Sequence, residues 1–170
     1  MPRTKFRIGR ARTGLGLFAV SPIRKGAFIV EYKGRRVTTA QAERLEARGA
    51  RYIYELNKDW SIDGSSHRNK GRYANHSCRP NAESDIIKGR KVIIRAIRKI
   101  KPGTEITYHY GDDYLSNVLT RRGCKCVTCM RRRARKQAEW RRRVARRKQR
   151  AAAARKKGAV KRGTVRKRSR

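Results

Sequence analysis

Acidic residues are scarce in this chain: 12 Asp and Glu face 49 Lys and Arg over 170 residues, a formal net charge of +37. An excess of that size calls for a polyanionic partner, nucleic acid first and a membrane surface a weaker second. Long apolar runs are also lacking. No stretch of ~18 residues is apolar, which excludes a helix that spans a bilayer. The start, Met1-Pro2-Arg3-Thr4-Lys5, has no apolar segment behind it, so no secretory signal is expected. Cysteines number only 4, at Cys78, Cys124, Cys126 and Cys129. Without such a signal, metal binding is a better expectation for them than disulfides. Hydrophobic residues make up a low 37%, so the length allows one domain with a modest core.

The charge that is present is unevenly spread. Residues Arg131 to Arg170 hold 21 Lys and Arg against one Glu. Like charges repel, and such a segment buries too little to offset chain entropy. A disordered basic tail is therefore expected over 132–170. Its part from Arg131 to Arg155 is rich in helix formers and is expected to become helical against a polyanion. The first 130 residues read differently. Phe18, Val20 and Ile23, then Phe28-Ile29-Val30, flank a Lys25-Gly26 turn and predict two short strands. Thr38 with Gln41 forms a capping box, predicting a helix through Ala47 that stops at Gly49. Tyr52-Ile53-Tyr54 predicts a strand. Ile86-Ile87, Lys88-Gly89 and Val92-Ile93-Ile94 predict a hairpin. Pro102-Gly103 predicts a turn before a strand from Glu105 to Tyr110. The fold class is mainly β with few short helices, and the sequence has no internal repeat.

Four segments carry chemistry. Gly14-Leu15-Gly16-Leu17-Phe18-Ala19 fits G-x-G-x-x-A, but a dinucleotide site needs a helix next, and Pro22 blocks one. What remains is a tight turn with close backbone approach, either to the chain itself or to a nucleoside-like ligand. Arg72-Tyr73-Ala74-Asn75-His76-Ser77-Cys78-Arg79-Pro80-Asn81 has no hydrophobic period and predicts a loop dense in polar groups. A Ser77–His76 hydrolase pair is disfavoured, because no nucleophile elbow is present. In the strand from Glu105, Tyr108 and Tyr110 lie on one face, as core tyrosines or as site residues. The fourth segment, Cys124-Lys125-Cys126-Val127-Thr128-Cys129, gives C-x-C-x2-C. These three thiolates lack one ligand for tetrahedral zinc, and Cys78 is the only other cysteine.

Taken in order, Gly14-x-Gly16-x-Phe18, Glu31-Tyr32-x-Gly34, the Arg72–Asn81 string and Glu105-Ile106-Thr107-Tyr108-x-Tyr110-Gly111 resemble the successive motifs of SET-domain protein-lysine methyltransferases. The resemblance covers roughly residues 5–130. It implies a SET-domain fold of small sheets with a C-terminal pseudoknot over 5–113. A zinc-binding post-SET segment over 114–131 would follow, then the tail. It implies S-adenosylmethionine held by Gly14, Leu15, Gly16, Leu17 and Phe18 and by Arg72, Asn75, His76 and Tyr110. Tyr110 would stand at the methyl-transfer centre, Tyr32 would line the lysine channel, and Tyr108 would tune how many methyl groups are added. Structural zinc would sit on Cys78, Cys124, Cys126 and Cys129, in a spacing shorter than the commonest post-SET pattern.

The expected activity is mono- or dimethylation of a lysine in a histone or histone-like protein, by a monomer that binds DNA or RNA through its tail and no membrane. The expected location is chromatin and the nucleus in a eukaryotic cell, or the cytoplasm and nucleoid in a bacterium. The competing expectation is a nucleic-acid-binding protein on a SET scaffold that has lost catalysis. Methylation of a ribosomal or translation protein is a third. The tail itself, for instance at Lys156, Lys157 or Lys161, is a candidate substrate.

Overall fold

The computed structural model describes residues 4–117 and 123–167. The chain divides into two compact units, Met1–Thr128 and Cys129–Arg170. The first holds three small sheets. Strands β1 (Phe6–Ala11) and β2 (Gly14–Ala19) form an antiparallel hairpin. β3 (Phe28–Tyr32) pairs with β9 (Lys91–Ala96), which pairs in turn with β8 (Ala82–Ile87). β4 (Arg35–Thr38), β6 (Trp60–Asp63) and β5 (Ile53–Glu55) make the third sheet. β10 (Glu105–Tyr108) joins the first sheet between β2 and the two-residue strand β7 (Asn75–His76), giving the order β1-β2-β10-β7.

Local chemistry explains most boundaries. Thr38 caps α1 (Thr39–Ala47): its hydroxyl accepts from the Gln41 N–H at 3.3 Å, and the Gln41 side chain accepts from the Thr38 N–H at 3.0 Å. Gly49, at φ 91, takes the left-handed conformation that ends the helix. The β8–β9 hairpin turns on Lys88 and Gly89, at φ 50 and φ 63, with Arg90 N–H bonded to Ile87 O at 3.1 Å. Both central φ values are positive, which matches the right-handed twist of the flanking strands. Leu17, Ile23, Ile94, Ile100 and Ile106 are fully buried and form the main core with their neighbours. Tyr32, Leu56, Ile62 and Val92 form a second cluster.

Three features depart from the sequence expectation. The Arg72–Asn81 segment is not all loop: a 3-10 turn, Lys70–Tyr73, leads into β7. Its polar side chains are used in pairing with β10, so no hydrophobic period was there to mark it. The strand predicted to reach Tyr110 ends at Tyr108, where β7 ends too. The tail, expected to be disordered apart from a stretch at Arg131–Arg155 able to become helical, forms helix α3 (Val127–Lys167). Ala, Arg, Lys and Gln dominate it and proline is absent from it, so intrinsic propensity outweighs the repulsion that the charge count stressed. The helix also begins at Val127, inside the segment expected to be a separate zinc module.

Replacing Thr38 by Ala removes the α1 cap. The expected cost is ~1 kcal/mol, read as a lower urea midpoint with an unchanged slope.

Candidate active site

Strand β10 brings the tyrosines together. The Tyr108 and Tyr110 rings stand 4.8 Å apart. The Tyr110 hydroxyl donates to Ala74 O at 2.8 Å, and the Tyr114 ring meets its edge at 5.3 Å. Tyr32, at the end of β3, donates its hydroxyl to Tyr52 O at 2.9 Å. Its ring lies 5.5 Å from that of Tyr54, whose hydroxyl bonds Ser84 Oγ at 2.8 Å. Burial pushes the Tyr32, Tyr108 and Tyr110 phenols up from their ordinary value. These groups stay protonated at neutral pH and serve as oriented hydroxyls, not phenolate bases.

Beside them lies a cleft of about 160 Å³ lined by residues that include Thr13, Asn75, His76, Glu105 and Cys126. Asn75 Nδ2 donates to Leu15 O at 3.0 Å and to Glu105 Oε1 at 2.7 Å, tying the glycine turn to β10. Gly16 sits under these groups. A Cβ there would meet Glu105 Oε1 at 2.8 Å, Ala11 Cβ at 2.9 Å and Asn75 Nδ2 at 3.0 Å. Gly14 has φ +112 and nothing within 4 Å of a Cβ, so conformation rather than crowding favours glycine there. The close approach expected of this turn is thus partly to its own chain. Leu17 is fully buried in the core and Phe18 packs under the Arg7 guanidinium at 5.3 Å. Their side chains are thus engaged within the chain.

His76 joins two parts of the site. Its Nδ1 accepts from the Tyr110 backbone N–H at 3.3 Å, and its Nε2 lies 3.3 Å from Cys78 Sγ. With Nδ1 accepting, the proton sits on Nε2 and is donated to the sulfur. Burial first, then the neighbouring His109, holds this imidazole down at about 4, which keeps it neutral. His76, Cys78, Cys124 and Cys126 place their ligand atoms within 4.8 Å of one another, a group that could hold a metal ion. Three sulfurs at this spacing suit zinc. That tautomer makes His76 a donor to the Cys78 sulfur rather than a ligand, a common way of orienting a metal-binding group. Cys129 falls in the second unit, and its part in the set rests on the C-x-C-x2-C spacing.

Arg72, expected at the cofactor, lies against Tyr52. Its guanidinium stacks on the Tyr52 ring, 3.8 Å from the centroid, and donates to Ser65 O. Several site residues were not foreseen. Asn69 is almost fully buried; its Oδ1 accepts from Lys33 N–H at 3.0 Å and its Nδ2 donates to Gly64 O at 3.1 Å. A Cβ on Gly64 would lie 2.5 Å from the Tyr32 ring, so Asn69 fixes the floor under that tyrosine. Nothing in the polar run Ser65-Ser66-His67-Arg68-Asn69 marks one residue as buried. Tyr52 and Tyr54 read only as strand formers. The one available signal was the clustering of 7 tyrosines in so basic a chain.

The family model described as SET domain matches residues 14–111. That stretch contains the glycine turn, Tyr32, the Asn-His string and Tyr110, and the chain belongs to the SET-domain family. Among its relatives, the histone-lysine N-methyltransferase ASHH1 of Arabidopsis thaliana is 34% identical over 125 residues, covering 68% of this chain and 25% of that protein. The histone-lysine N-methyltransferase mes-4 of Caenorhabditis elegans is 32% identical over 133 residues, covering 66% of this chain and 14% of that protein. The chain thus spans a quarter or less of either relative. Among solved structures, ctPRC2 in an autoinhibited conformation bound to S-adenosylmethionine matches with a TM-score of 0.58 at 27% identity, covering 64% of this chain and 15% of that one. No helix among the described residues is long and apolar enough to cross a membrane.

Elemental analysis of the purified chain is expected to find bound zinc. Cys124→Ser and Cys126→Ser should lose the metal, whereas His76→Gln should keep it. Loss of zinc in His76→Gln as well would make the imidazole a ligand.

Proposed function

We propose that the chain is a protein-lysine N-methyltransferase that uses S-adenosylmethionine and acts on a histone or a histone-like, DNA-associated protein. The observation that carries this reading is the Tyr110 hydroxyl, fixed on Ala74 O between the tyrosine cluster and the cleft at Asn75 and His76. The bound donor supplies an electrophilic methyl group on a sulfonium. The chain supplies alignment, dryness and a neutral amine.

In this reading Tyr32 and Tyr108 wall the channel that receives the target lysine, and Tyr110 orients the reacting centre. Asn75, His76 and the β2 backbone at Gly14–Phe18 hold the donor. Support comes from the raised phenols, which stay neutral, and from the dense aromatic packing, which excludes water and favours the uncharged amine. Zinc on Cys78, Cys124 and Cys126, with Cys129 as the fourth thiolate by spacing, would be structural. Through His76 it would brace the backbone at Tyr110. Tyr108, buried beside Tyr110, narrows the channel with its hydroxyl, and mono- or dimethylation is the proposed outcome.

The basic helix is proposed to bind DNA or RNA without sequence preference and so to bring the catalytic unit, as a monomer, to chromatin-like substrates. Support comes from its charge and from the side chains of Arg131–Trp140, which stand exposed to solvent. A nuclear or chromosomal site of action follows from that reading.

The deciding experiment is methyl transfer from labelled S-adenosylmethionine, offered core histones, a bacterial histone-like protein, or the chain alone. Label is expected on lysine. Tyr110→Phe should slow transfer on the order of 100-fold, the scale of a misaligned reacting centre. Mass spectrometry should find more highly methylated lysine with Tyr108→Phe. No transfer and no donor binding would leave the non-catalytic nucleic-acid-binding protein.

Removal of residues 132–170 should abolish DNA retention in a gel-shift assay. The intact chain should lose affinity linearly on a log–log salt plot. Retention unaffected by the truncation would place nucleic-acid binding on the catalytic unit.

A further inference from the structure

Arg72 is a charged motif residue that neither lines the cleft nor belongs to the metal group. Its surroundings are unusual for a guanidinium. The Tyr52 ring lies beneath it at 3.8 Å and the Tyr73 ring stands at 5.6 Å. Nη1 bonds Ser65 O, while Nε is buried with no hydrogen-bond partner. Among the described residues no carboxylate forms an ion pair with it. A buried donor left unpaired costs stability; the guanidinium itself is half-buried, so aromatic contact on Tyr52 lowers its screening by water without removing it.

That field falls on Tyr32. Gly71, next in the chain to Arg72, packs on the Tyr32 backbone, where a Cβ would come within 2.9 Å of Tyr32 Cα. Tyr52 is shared by both residues: its ring carries the guanidinium, and its carbonyl oxygen takes the Tyr32 hydroxyl at 2.9 Å. Arg72 also pulls the Tyr32 phenol down against the larger effect of burial.

We propose that Arg72 is a positioning residue whose unpaired charge, set beside the Tyr32 wall of the lysine channel, drives the incoming target lysine to shed its proton before methyl transfer. This rests on the methyltransferase reading above. The proton leaves to bulk water as the side chain enters, and the neutral amine keeps the lone pair that forms the new N–C bond. An ammonium in the channel feels two penalties, desolvation by the tyrosines and repulsion from Arg72, and both act in the same direction.

Other charged and titratable groups face this region. Asp63, at the end of β6, raises the Tyr32 phenol and so opposes Arg72, but it is held by Arg35 at 3.8 Å. His67 bonds the Tyr73 hydroxyl through Nδ1 at 3.1 Å. Tyr114 of α2 (Asp112–Asn117) faces Tyr32, with Arg51 and Glu46 acting on it in opposite senses. Arg72 acts on Tyr32 more strongly than any of these.

The test is the pH dependence of kcat, with core histones and S-adenosylmethionine at saturation. The acid limb of that profile reports the amine in the bound complex. In Arg72→Gln the limb should move up by about one pH unit, the size expected for unit charges several ångströms apart at an effective dielectric of ~20. Arg72→Lys should keep the limb near its original place, because it keeps the charge. Should Arg72→Gln fail to fold, Asp63→Asn tests the same field with the opposite sign, and its limb should move down.

A uniform drop in kcat at every pH, with the limb unmoved in both Arg72→Gln and Asp63→Asn, would overturn the electrostatic role and leave Arg72 as a packing residue. Absence of transfer by the unsubstituted chain, in contrast, would overturn the methyltransferase reading itself.

Discussion

Strand β10 has no hairpin partner of its own, and the site depends on how it is held. Glu105 and Ile106 pair with Phe18 and Leu17 of β2, while Thr107 and Tyr108 pair in parallel with Asn75 and His76. Asn81 completes the lattice. Its Oδ1 accepts from Thr107 N–H at 2.9 Å, its Nδ2 donates to Glu105 O at 2.8 Å, and its backbone N–H donates to Thr107 O at 3.1 Å. Asn81 thus extends the pairing of β10 beyond the two residues of β7. All of these contacts are far apart in sequence, so they form only after long loops have closed.

From this anchored strand a chain of hydrogen bonds runs through the site. Cys78 is met by His76, His76 takes the Tyr110 N–H, and the Tyr110 hydroxyl reaches Ala74 O. Each link fixes the next: the amide selects the imidazole tautomer, and that tautomer directs its remaining proton at the sulfur. The cysteine group and the tyrosine cluster are therefore one polar network with aromatic walls. Burial of the phenols keeps the tyrosine part of that network protonated.

Arginine serves two ends in this molecule, and environment separates them. On α3 the residues from Arg131 to Arg142 are exposed, and salt screens such charges beyond about a Debye length. At the 3-10 turn a single guanidinium lies against Tyr52, where low polarity preserves its field. The same residue type gives bulk attraction on the surface and a directed local effect inside.

Much of this was legible in the residues. The Thr38–Gln41 box, the Lys88-Gly89 turn and the Pro102-Gly103 turn are local, and a few neighbouring side chains and φ preferences decide them, so the sequence by itself determined those boundaries. The tyrosines and the Asn-His string were identifiable for the same reason: their residue types are uncommon in that order. In the tail, charge count and helix propensity point opposite ways, so the residues alone left the extent of its helix open. Only the tertiary structure decided that Leu17 is core, that Arg72 sits with Tyr52 rather than at the cleft, and that Asn69 and Tyr54 belong to the site. Those outcomes depend on which distant segments β10 and the 3-10 turn bring together, and no window of neighbouring residues contains that information.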